Sequence, residues 1–94
     1  MEPNRPNQQS TNNQLQLTVR DRTTTLFNGE IKNLSSVNEK GKFDILGEHA
    51  NFISIVKEKL IVRLLDGKQQ EIPIDQGVLK VRENKIVIFL GIKT

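Results

Sequence analysis

Short runs of β-favouring residues, broken by turn signals about every 8 to 12 positions, constrain this chain more than any other feature. Leu15, Leu17 and Val19 alternate with Gln16, Thr18 and Arg20, the period-two pattern of a strand with one buried face. A second run covers Thr23 to Phe27, and Asn28-Gly29 offers the positive φ angles of a tight hairpin turn. A third strand is expected over 30–37. Its apolar residues Ile31, Leu34 and Val37 drift from strict alternation, which predicts a bulge or bend near Ser35-Ser36. After the polar turn Asn38-Glu39-Lys40-Gly41 come a short strand with Phe43, Ile45 and Leu46, and then the apolar group Phe52, Ile53, Ile55 and Val56.

The second half follows the same rule. Lys59 to Leu65 and Lys68 to Ile74 flank Asp66-Gly67, a hairpin closed by a primed turn. Pro73 cannot donate to a ladder, so its strand lies at an edge or turns that position outwards. Gln76-Gly77 predicts another turn, and Glu83-Asn84 closes a last hairpin between Val78–Arg82 and Lys85–Ile92. Ile86 to Leu90 are all apolar, the sign of a strand covered on both faces. No segment carries a 3.6-residue period over three turns. The fold class is therefore all-β, with about 8 to 10 short, mostly antiparallel strands in a two-layer sandwich.

Size and composition narrow the rest. With 94 residues there is one small domain, and with no Cys it is held by packing alone. Aromatic content is 4%, so the core must be aliphatic. Residues 1–13 are rich in Asn and Gln and have no apolar side chain after Met1, so they are expected to form a disordered tail ahead of a domain over 14–94. The net charge of +3 is spread among acidic neighbours, without the basic stripe and exposed aromatics that nucleic-acid binding favours. No window approaches the ~20 apolar residues of a membrane helix.

Reactive chemistry is scarce. One His, no Cys and scattered carboxylates suit neither nucleophilic nor acid–base catalysis. Asp44, Glu48 and His49 are the densest constellation, but adjacent residues of an extended chain diverge, and His49 is better read as shaping its turn. The glycines punctuate strands and none opens a helix, so there is no phosphate loop. The expectation is a protein that is not an enzyme and has no cofactor or metal.

One segment is more particular. Val37-Asn38-Glu39-Lys40-Gly41-Lys42-Phe43-Asp44-Ile45-Leu46-Gly47-Glu48-His49-Ala50 resembles the signature of the epsilon-subunit family of F-type ATP synthases, called delta in mitochondria. Leu26-Phe27-Asn28-Gly29-Glu30, Asp75 to Val81 and Asn84 to Ile88 are similar to flanking family segments, so the resemblance runs from Leu15 to Ile92. Asp44 stands where the family commonly has Gly, and Gly47 where it has Pro. The two-helix hairpin that usually follows is absent from this sequence.

The resemblance implies a non-catalytic rotor subunit of the central stalk in a proton-translocating ATP synthase. It would couple c-ring rotation through gamma to the catalytic head, at the cytoplasmic face of the membrane. The implied partners are gamma and the c-ring, with membrane association only through the complex and no nucleic acid or small-molecule substrate. By the same resemblance Asn38, Glu39, Lys40 and Lys42 face the ring, and His49 and Phe52 are candidates for the gamma side. The alternative is a free-standing β-sandwich adaptor or weak nucleic-acid-binding module.

Overall fold

A computed structural model describes residues 15–45 and 51–91. The expected tail over 1–13, Leu46, Glu48, His49 and the final residues from Ile92 lie outside this set. The described chain forms six strands: β1 (Leu15–Arg20), β2 (Thr25–Asn38), β3 (Gly41–Ile45), β4 (Phe52–Leu64), β5 (Gln69–Arg82) and β6 (Lys85–Leu90).

Three of these strands are long, with 14, 13 and 14 residues in β2, β4 and β5. Each bends and serves both layers. The first sheet holds the first half of β2, then β1, β6, the second half of β5 and the first half of β4. The second sheet holds β3, the second half of β2, the second half of β4 and the first half of β5. Nine strand segments thus make two layers from six strands. All neighbours are antiparallel except β1 and β6, which run parallel with Leu17 opposite Ile86 and Val19 opposite Ile88.

The bends are register breaks. The β4–β5 ladder shifts between Lys57 and Glu58, leaving Asp75 without an opposite residue, and Glu58 takes a φ of 73°. The β2–β4 ladder shifts between Ser35 and Val37, at the position anticipated from the drifting apolar pattern. There the hydroxyl of Ser36 donates to the Lys59 carbonyl at 2.8 Å. Ser36 is buried, and its hydroxyl satisfies a backbone group where the ladder is interrupted.

Both layers fill one aliphatic core. Leu15, Leu17, Val19, Leu79, Val81, Ile86 and Ile88 enter it from the first sheet, and Leu34, Ile45, Leu60 and Val62 from the second. Ile31 and Val56, beside the bends, join the two groups. Phe27, Phe43 and Phe52 pack at its margins.

Two expected turns are strand interiors. Asn28 and Gly29 pair with Thr18 and Leu17 inside β2, and the β1–β2 reversal falls instead at Asp21–Thr24. The Asp21 carboxylate accepts from the backbone of Thr23 at 2.9 Å and Thr24 at 2.8 Å, which fixes that turn. Gln76-Gly77 is likewise continuous strand, with Gly77 opposite both Val56 and Leu90. A Cβ on Gly77 would lie 2.8 Å from Leu90 Cδ2 and 3.0 Å from the Phe89 carbonyl oxygen, so this glycine serves close packing.

The reversal at Asp66-Gly67 is real but longer than a two-residue primed turn. Leu64 donates to Lys68 at 2.8 Å, Gly67 donates to Leu64 at 3.0 Å, and of the loop residues only Gly67 has positive φ. This is a three-residue loop with glycine in the left-handed position. Glu83-Asn84 is a primed turn, with φ of 51° and 66°. Pro73 lies in the half of β5 that pairs only with β4, the edge position its missing N–H requires.

Candidate interaction groove

The turn after β2 and the first half of β4 enclose a shallow groove of about 680 Å³. Asn38, Glu39 and Lys40 form one wall, Phe52 to Ile55 the other, and Lys57, Asp75 and Gln76 close the end near the bulge. Local bonds hold the walls together. Asn38 Oδ1 accepts from the Lys40 backbone at 2.9 Å, and Asn38 Nδ2 donates to Ser54 Oγ at 3.2 Å. Asn38 thus shapes its own turn and ties it to β4. Gly41, with φ of 118°, returns the chain into β3.

The structure brings Asn38, Glu39, Lys40 and Phe52 to this one groove. Lys42 projects from the outer face of the second sheet, opposite Val37, and does not line it. His49 lies outside the described residues. Phe52 is half-buried and leans on the core, whereas its neighbours Ile53 and Ile55 point out of the first sheet and are 67% and 48% exposed. Ile53 and Ile55 are the residues that sequence reasoning missed. Their signal was present in the run Phe52-Ile53-Ser54-Ile55-Val56, apolar on both alternating faces.

No charge centre for catalysis forms here. Asp44 is exposed on β3 and accepts a hydrogen bond from the Ser35 hydroxyl. Among the described residues no group of three metal-ligating side chains converges, and no helix is long and apolar enough to cross a membrane. The one clearly shifted carboxyl is that of Asp21, remote in sequence from the groove. The backbone N–H groups of Thr23 and Thr24 hold it below the ordinary aspartate value. What the groove can do is adhere, through apolar area with a polar rim.

The family model for the ATP synthase Delta/Epsilon chain, beta-sandwich domain, matches residues 14–91. An ATP synthase epsilon chain from Nitratiruptor sp. is 36% identical over 61 residues, which is 64% of this chain and 47% of the relative. An ATP synthase epsilon chain from Sulfurimonas denitrificans is 26% identical over 77 residues, 81% of this chain and 59% of the relative. The chain therefore spans about half the length of the curated relatives it matches. In the Euglena gracilis mitochondrial ATP synthase, solved as OSCP/F1/c-ring in rotational state 1, one chain superposes with a TM-score of 0.77 at 18% identity. The superposition covers 82% of this chain and 50% of that one, and it supports the fold. With a family match across both sheets, this chain belongs to the ATP synthase delta/epsilon chain β-sandwich family.

Proposed function

We propose that this chain acts as the β-sandwich part of a non-catalytic central-stalk subunit in a proton-translocating F-type ATP synthase. It helps carry rotation of the c-ring, through gamma, to the catalytic head at the cytoplasmic face of the cell membrane. The observation that carries this reading is the family match over residues 14–91, which takes in both sheets and the groove. The geometry agrees with the task. Strands that run through both layers make a stiff body, and a preformed groove beside exposed Ile53 and Ile55 offers adhesion without reactive groups.

In this reading Asn38, Glu39, Lys40 and Lys42 meet polar loops of the c-ring, while Phe52 and His49 belong to the gamma side. Exposed ion pairs at the ring contribute at most about 1 kcal/mol each, so apolar burial beside β4 supplies most of the adhesion. The test is recovery of the tagged protein from its native cells with an intact ATP synthase. Gamma and c-ring subunits should come down with it in constant proportion. Recovery of the catalytic head from the same membranes without this chain would overturn the reading.

A further inference from the structure

The outer face of the first sheet is apolar in the middle and cationic around it. Cross-strand pairing sets Arg20, Phe89, Val78 and Ile55 in one row, and Thr18, Val87, Lys80 and Ile53 in the next. Residues directly opposite each other share a face, so these rows form one surface. Arg82 and Lys85, paired across the β5–β6 turn, extend it. Arg20, Lys80, Arg82 and Lys85 are all exposed. The nearest carboxylates in register, Glu30 on β2, Glu83 in the turn and Asp75 at the bulge, lie at its margins.

A second observation points the same way. Ile86 to Leu90 reads as a strand covered on both faces, yet within this chain only one face is covered, and Phe89 is left 41% exposed. With Ile53 at 67% and Ile55 at 48%, the exposed apolar side chains gather on this face.

We infer that this face docks a protein surface whose apolar ridge is flanked by carboxylates. A second copy related by a twofold axis would set Arg20, Lys80 and Arg82 against their own equivalents. The segment before Leu15 cannot cover the face with apolar area, since it has no apolar residue after Met1 and only Glu2 as an acid. Single-stranded nucleic acid needs stacking platforms, and Phe89 is the only aromatic in these rows. A flat sheet with cations set among aliphatic side chains fits a complementary protein face. The inference relies on the rotor reading only for where that partner is found.

A photo-crosslinking benzoylphenylalanine placed at Ile55, and separately at Glu71 on the outer face of the second sheet, tests it in the full chain in its native cells. The expected result is one protein product from the Ile55 position, mapped to a peptide with carboxylates beside apolar residues, and none from Glu71. Lys80→Glu with Arg82→Glu should lower the yield about tenfold or more at an unchanged melting temperature. If that pair lowers the melting temperature, Lys80→Gln with Arg82→Gln should still lower the yield about threefold. A product carrying such a peptide but foreign to the ATP synthase supports the docking face and sinks the rotor reading. A product with a second copy, lipid or nucleic acid, a product only from Glu71, no product, or a yield blind to charge overturns the inference.

Discussion

Gly77 has no room for a side chain. Its neighbours at that point include backbone, the Phe89 carbonyl at 3.0 Å, so relief needs a shift of β6. Gly77→Ala should destabilise the fold by about 1–3 kcal/mol, the range for overpacking a filled site, read as a lower urea midpoint at constant slope. A turn glycine tolerates alanine differently: Gly67, with φ of 91°, has open space around its missing Cβ and would cost only backbone strain. The sequence cannot separate these two uses of glycine, which is why Gln76-Gly77 reads as a turn. Asp21 is a plainer case. Its carboxylate accepts from Thr23 and Thr24, so its folded pKa lies below the unfolded one. The turn's contribution is therefore present above the unfolded value and lost as pH falls through the folded value. A carboxyl titration followed by NMR should give Asp21 a midpoint below that of the exposed Asp66, and Asp21→Asn should remove the acid-side slope it contributes.

The strands themselves show what local pattern reveals and what it hides. The alternation in β1, the edge position forced by Pro73, the bulge near Ser36 and the turn at Glu83-Asn84 were all legible, because each follows from one residue's own chemistry. The parallel pairing of β1 with β6 was not, since it joins chain positions far apart and leaves no local mark. The groove divides the same way. Asn38 to Lys40 announce a turn, while Ile53 and Ile55 look like core because an uncovered apolar face and a covered one have the same letters. The division of β4 into two expected strands has its physical reason in Glu58, whose left-handed φ of 73° lets one strand change layers. A non-glycine residue there costs about 1–2 kcal/mol, partly offset by the chain entropy that glycine adds to the unfolded state. Glu58→Gly should therefore raise stability by up to about 1 kcal/mol, and Glu58→Val, β-branched at positive φ, should lower it by more than that. Equal unfolding midpoints for the two variants would mean that the bulge does not constrain the strand.

At the level of the whole molecule, three strands passing through both layers mean that neither sheet can open alone. Releasing the second sheet requires the second half of β4 to leave Ser36 and Ile72, yet that segment continues through Glu58 into the ladder with Val78 and Leu79. Core residues from both layers also form one cluster, so opening either exposes the other's apolar surface. Native-state hydrogen exchange at rising urea should then place Leu60 and Val62, from one sheet, on the same global isotherm as Leu79 and Ile88, from the other, within about 1 kcal/mol. Glu71 and Ile72, in the half of β5 with a single neighbour, should exchange by smaller openings. The coupling bears on function directly. A body placed between rotating parts transmits force only if load on one face reaches the other without a yielding layer between, and continuous strands supply that path where a sandwich of separate short strands would rely on side-chain packing alone. Two distinct isotherms, one for each sheet, would show the layers yielding independently and would remove the mechanical argument for this fold as a coupling element.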